Sequence, residues 1–292
     1  MSVSSEVPVI FPCHQQRLMG IIHKPTDESV SRGVLIIVGG PQTRVGSHRQ
    51  FVLLARYLAA AGIPVMRFDY RGLGDSEGAR PGFEFINDDI QAAIDVFYQQ
   101  VPHLKDVVLW GLCDAASAAL LYGFQDKRIA GLVLLNPWVR SEAGLAKVYV
   151  KNYYLARLVN PDLWRKVFSG QFGFTKAFGD LWGNIKQVLF PEQSSEPGKK
   201  KVNGSTETAV DFVTGMRLGL ERFKGEILII LSGNDLTADE FRELLNASSP
   251  WKQVINQRHV ERYEVSGATH TFSSAAWRDE VAEKTLTWLK SW

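Results

Sequence analysis

The chain has 292 residues, 45% of them hydrophobic and 22% charged, with a formal net charge of +2. That length suits one large α/β domain with an insertion, or two small domains. The near-neutral balance, with Lys and Arg scattered apart from Lys199-Lys200-Lys201 in a solvated Ser, Glu, Pro and Gly context, gives no electrostatic case for nucleic acid.

From the N-terminus, the first twelve residues show no basic segment followed by an apolar run, so no secretory signal is expected. Segments 18–23 and 33–38 are short apolar runs bounded by turn residues and predict strands. Residues 51–61 repeat apolar side chains at helical spacing and stop at Gly62, a natural C-terminal cap. Strand 63–68 follows, then a Gly-rich loop over 69–76. An amphipathic helix is expected over 85–100, with Ile86, Ile90, Ala93, Ile94 and Phe97 on one face. A strand at 107–110, a helix of small residues after it and a buried strand at 129–135 complete the first part. Strands alternating with helices imply a parallel sheet covered on both faces.

After Asn136-Pro137 the rhythm breaks. Residues 138–190 carry Trp138, Tyr149, Tyr153, Tyr154, Trp164, Phe168, Phe172, Phe174 and Trp182 without a strand-like run, and 191–206 is a polar stretch read as a mobile loop. A helix is expected over 208–222 and a strand over 225–231. The expected organisation is therefore a core of 1–137 and 223–292 with a helical cap or lid at 138–222. Strand 261–265 and a closing helix at 275–288 end the chain. The longest apolar stretches are too short to span a bilayer, and two cysteines argue for a reducing compartment, so a cytoplasmic protein is expected.

The chemistry starts at Gly111-Leu112-Cys113-Asp114-Ala115. A strand, a one-residue corner and a small-residue helix form a nucleophile elbow, with cysteine at the corner where serine is usual. A thiol nucleophile needs a base and an acid to orient that base, in the chain order nucleophile, acid, base. Asp235 follows strand 226–231 and His270 follows strand 261–265, so each stands at the required strand end. Alone, Asp235 would read as a turn former or helix cap, and Cys13 reads as a small buried hydrophobe. The oxyanion hole is expected from the N–H groups of Asp114 and Gly40, because Pro41 has none to offer. Arg44, His48 and Arg49, just beyond that loop, are candidates for contacting an acidic group of a substrate. Asp114 acts in two directions: it suits the first turn of a helix, yet its negative charge beside the thiol opposes thiolate formation. No metal or cofactor is expected.

The motifs Gly39-Gly40-Pro41, Arg67-Phe68-Asp69-Tyr70-Arg71-Gly72-Leu73-Gly74-Asp75-Ser76, Gly111 to Ala115, Asp235 and His270 resemble the α/β-hydrolase superfamily over nearly the full chain. More narrowly, residues 39–51 and the Gly-Leu-Cys-Asp-Ala-Ala-Ser elbow are similar to the exosortase A system-associated hydrolases of type 1. That resemblance implies an encoding beside bacterial exopolysaccharide and protein-sorting systems and supplies no substrate. Dienelactone hydrolase shows that a thiol can serve as nucleophile in this fold. The expected function is cleavage of an ester or thioester, a small-molecule acyl substrate, through a Cys113-His270-Asp235 triad. Acyl transfer from the same site and a non-catalytic binding protein stand as alternatives, and the oligomeric state is left open.

Overall fold

The apolar runs assemble side by side into one eight-stranded sheet in the order β1-β2-β4-β3-β5-β6-β7-β8. The computed structural model describes residues 5–27, 30–140 and 211–292. Its strands are β1 (Ser5–Cys13), β2 (Gln16–Lys24), β3 (Arg32–Ile37), β4 (Val65–Asp69), β5 (Asp106–Leu112), β6 (Ile129–Leu135), β7 (Glu226–Ser232) and β8 (Val260–Val265). The helices among the described residues are α1 (Gln50–Ala60), α2 (Asn87–Gln100), α3 (Asp114–Tyr122), α4 (Phe212–Arg222), α5 (Leu236–Ala247), α6 (Ser249–Gln257) and α7 (Ala275–Leu289). By contacts the chain divides into two units, 1–139 with 210–292, and 140–209. The expected cap and its loop at 191–206 fall mostly outside the described residues. The helix at its far end, α4, packs on α3 within the core unit instead of belonging to the insertion.

From β3 to β8 the pairings are parallel, while β1–β2 and β2–β4 are antiparallel. Burial explains the difference in composition. In β5 every residue after Asp106 is buried, so the strand reads as an unbroken apolar run. The outer strand β1 alternates, with Val9, Phe11 and Cys13 buried and Pro8, Ile10 and Pro12 exposed. Its prolines hide it from sequence reading, yet an edge strand tolerates them because one side has no ladder to complete. Helices α5 and α6 also went unforeseen. Both are amphipathic, with Phe241 and Leu245 of α5 and Trp251, Val254 and Ile255 of α6 buried.

The strand order places the site. From β3 the chain passes through α1 to β4 on one side, then returns through α2 to β5 on the other. Crevices outside the carboxyl ends of parallel strands form where the order reverses in this way. Ile37 pairs with Gly111, so the loop after β3 and the corner after β5 leave the sheet as neighbours.

Candidate active site

Cys113 turns the chain in a single residue between β5 and α3, at φ 62° and ψ −124°. A side chain makes this backbone conformation costly, so it persists only where the surroundings over-determine it. Here they do. The Cys113 N–H donates to the Leu135 carbonyl at 2.9 Å, and its carbonyl accepts from Ala116, Ser117 and Trp138 at 3.0, 3.2 and 3.2 Å. The Ser117 hydroxyl then fastens the Trp138 carbonyl at 2.7 Å. Gly111 is required beside this corner, since a Cβ there would lie 2.6 Å from the Ala115 carbonyl group. The trailing position accepts the methyl of Ala115, which is fully buried.

The acid and base arrive on the two loops after β7 and β8. These loops are joined through their backbones: Gly233 N–H donates to Val265 O and Asn234 N–H to Ala268 O, both at 2.9 Å. Asp235 caps α5 by accepting the Ala238 N–H at 3.1 Å. The same Oδ2 accepts from His270 Nδ1 at 2.9 Å. One carboxylate oxygen of Asp235 therefore both caps α5 and receives the imidazole. Burial works to raise Asp235, but the hydrogen bond and charge of His270, with the Ala238 and Thr237 N–H groups, outweigh it and hold the carboxyl below its ordinary range. The Asp235 hydrogen bond, followed by the interaction with the Cys113 thiol, pushes His270 up to about 10 against the cost of its burial. The imidazole thus lies between the Asp235 carboxylate and the Cys113 sulfur, and both favour its protonated form.

Two positions that sequence reasoning passed over hold the histidine loop. Asn136, at the end of β6, is fully buried with a left-handed φ of 43°, a conformation asparagine tolerates better than most residues. Its amide donates to Ser232 Oγ at 2.8 Å and to the His270 carbonyl at 3.1 Å, while its Oδ1 accepts the Ser232 N–H at 2.8 Å. The Ser232 hydroxyl donates onward to the Thr269 carbonyl at 3.0 Å. The main chain before and at His270 is therefore anchored to the ends of β6 and β7. The Asn136-Pro137 dipeptide was the available signal, but it marks a strand end equally well.

On the other side of the elbow, the Gly40 N–H, expected to line an oxyanion hole beside the Asp114 N–H, meets the Asp114 side chain. The Gly40 N–H donates to both oxygens of the Asp114 carboxylate, at 2.7 and 2.9 Å. Burial pushes Asp114 up, while the N–H groups of Gly40, Ala115 and Asp114 itself and the charge of Arg80 pull against it; the net shift is upward. Arg80 donates to the Gly40 carbonyl.

The three expected substrate contacts are placed differently. Arg44 pairs with Asp69 and with Asp75, and its backbone N–H donates to Asp69 Oδ1 at 2.6 Å. Asp69 is fully buried, and a buried carboxylate without a partner is strongly destabilising, so Arg44 braces this loop. His48 and Arg49 are exposed, with left-handed φ of 53° and 60°, in the turn that leads into α1. Among the described residues, no three His, Cys, Asp or Glu side chains gather as a metal site, and no helix is long and apolar enough to cross a membrane.

A family described as serine aminopeptidase, S33 (Hydrolase_4) matches residues 30–171. Among solved structures, the Pyrococcus furiosus esterase Pf2001 superposes with a TM-score of 0.63 at 17% identity, covering 99% of this chain and 93% of that one. A dienelactone hydrolase from Anabaena variabilis gives 0.60 at 14% identity, covering 98% and 97%. An alpha-beta serine hydrolase homologue from Coxiella burnetii gives 0.59 at 16%, covering 99% and 100%. No curated protein matches the chain by sequence. The fold is that of the α/β-hydrolases, an eight-stranded, mostly parallel sheet flanked by helices.

Proposed function

We propose that the protein is a hydrolase of ester or thioester bonds that uses Cys113 as a covalent nucleophile. The observation that carries this reading is the 2.9 Å bond from His270 Nδ1 to Asp235, on an imidazole that also interacts with Cys113 at a strained strand-to-helix corner. The S33 match and the esterase-like fold support hydrolase chemistry in general; that match is described as a serine family, whereas this corner carries cysteine.

In the proposed cycle the Cys113 thiolate attacks the substrate carbonyl carbon, and the carbonyl π electrons move onto oxygen. Collapse of that oxyanion breaks the bond to the alcohol or thiol leaving group, which takes a proton from the His270 imidazolium. The neutral imidazole then removes a proton from water as it attacks the S-acyl carbon. Collapse of the tetrahedral adduct breaks the C–S bond, releasing a carboxylic acid and the thiolate, and the water-derived proton stays on His270 as the imidazolium. Asp235 holds the imidazole with Nδ1–H toward the carboxylate and Nε2 toward sulfur. The similarity of residues 39–51 and of the elbow to the exosortase A system-associated hydrolases supports a link of this activity to bacterial exopolysaccharide systems without naming its substrate, and the proposed location is cytoplasmic.

The test is acyl-enzyme trapping. Incubation with an activated ester or thioester should add the acyl mass to Cys113, and Cys113→Ala should add none. If the wild-type chain never acylates, and iodoacetamide alkylates Cys113 no faster than Cys13, the reading fails. Esterase activity gained by Cys113→Ser would show that base and hole serve a hydroxyl as well.

A further inference from the structure

An oxyanion hole is a pair of N–H donors waiting for negative charge. In this molecule the Gly40 donor expected to form it is engaged by the protein's own anion. The Asp114 carboxylate accepts the Gly40 N–H through both oxygens, at 2.7 and 2.9 Å, and the N–H groups of Asp114 and Ala115 also face it. The fit is built into the sequence. A Cβ on Gly39 would lie 2.2 Å from Asp114 Oδ1, so only glycine leaves room for the carboxylate there. The next peptide of the loop is anchored as well, since Arg80 donates to the Gly40 carbonyl. A Cβ on Gly40, at φ 59°, would meet no atom of the described residues within 4 Å.

We propose that Asp114 is a specificity-determining residue whose carboxylate is the resident occupant of the oxyanion hole, which a substrate carbonyl must displace before Cys113 can be acylated. The inference rests on the acyl-enzyme reading above. A developing oxyanion next to a carboxylate is repelled, so acylation is slow until the carboxylate leaves the Gly40 N–H. Simple activated esters, which offer little besides the reacting carbonyl, therefore acylate the wild-type protein slowly. Acyl donors with further binding groups use that binding to drive the displacement.

Two reactions at one sulfur separate this role from the alternatives. Acylation by p-nitrophenyl acetate builds an oxyanion and needs the hole, whereas alkylation by iodoacetamide is a direct displacement that needs only the thiolate. In Asp114→Ala the backbone N–H remains and the carboxylate is gone, so acylation of Cys113 should rise by about tenfold or more while alkylation changes much less. Asp114→Asn, which keeps the shape at the start of α3 without the charge, should rise in the same direction and guards against a folding defect in the alanine variant. Acylation and alkylation rising together would mean that the carboxylate only discourages thiolate formation, and the proposal would be wrong. Unchanged or slower acylation in both variants, with circular dichroism intact, would equally overturn it while leaving the triad reading in place. If no ester labels Cys113 in the wild type or either variant, yet iodoacetamide does, the acyl-enzyme reading fails and this inference fails with it.

Discussion

The two halves of the site differ in what their polar groups are doing. On the proposed base half, the contacts fix the loop that carries His270: Asp235 accepts from its imidazole, and Asn136 and Ser232 hold the carbonyls of His270 and Thr269. On the hole half the contacts point inward, and the Gly40 N–H is already given to Asp114. One half is poised and the other is satisfied by an internal ligand. Preorganisation is thus a property of each part of a site, and a triad in good order says little about whether the electrophile has a place to sit.

The largest effect should come from breaking the base half at its centre. Asp235→Asn replaces a charged acceptor with a neutral amide, and loss of a positioned proton-transfer partner costs roughly 10²-fold or more. Stopped-flow acylation of Cys113 should show that loss, and a drop below about threefold would mean that Asp235 serves only as the cap of α5. Asn136→Ala should come next. It leaves the fully buried Ser232 backbone N–H and the part-buried His270 carbonyl without their partner, for about 2–4 kcal/mol of stability in chemical denaturation. Because the loop it releases carries the base, kcat should fall about tenfold with KM little changed. A loss of stability with kcat intact would reduce Asn136 to packing, and the comparison would lose one of its supports.

The pair of Asp235 and His270 also gives a pH signature, smaller but with a defined sign. His270 rises from an ordinary 6.5 to about 10 in the folded chain, so its contribution to stability is complete below about 6.5 and disappears as pH climbs through about 10. Asp235 is held below its ordinary 3.8, so its contribution is complete above that value and is lost as pH falls through the lowered one. The gap in melting temperature between wild type and Asp235→Asn should therefore be widest between about pH 4 and 6.5 and close toward pH 10. A gap that widens as the solution is made alkaline would contradict the imidazolium–carboxylate pairing.

The positions of the proposed triad were legible because a chain order and three strand ends constrain them together: Cys113 after β5, Asp235 after β7, His270 after β8. The parallel core was legible for a related reason, since strands buried on both faces write continuous apolar runs. What sequence left hidden is what depends on partners distant in the chain. β1 becomes a strand because β2 lies beside it, its prolines notwithstanding. Arg44 looks like a free cation until Asp69, 25 residues on, is found buried against it. Asn136 and Ser232 stand 96 positions apart, and no local pattern announces their bond. The Asp114 side chain was weighed for its charge beside the thiol, but its reach back to Gly40, 74 positions earlier, appears only when β3 and β5 are paired.

The smallest effect is expected at the other cysteine, and it calibrates the rest. Cys13 is 4% exposed at the end of β1, and burial, reinforced by the charge of Asp89, pushes its thiol up to about 11. Cys113 is less buried and faces the His270 imidazolium. The two thiols share a chain and a solvent, so their alkylation rates at neutral pH report environment alone. Cys113 should react with iodoacetamide at least about tenfold faster than Cys13, because the reactive species is the thiolate and a neighbouring cation favours it. Cys13→Ala should leave acylation untouched and cost only about 1 kcal/mol from a small cavity beneath the edge strand. In His270→Ala the Cys113 rate should fall toward that of Cys13. If it does not fall, the imidazolium is not what distinguishes the two sulfurs, and the poise of the base half must come from the strained corner itself.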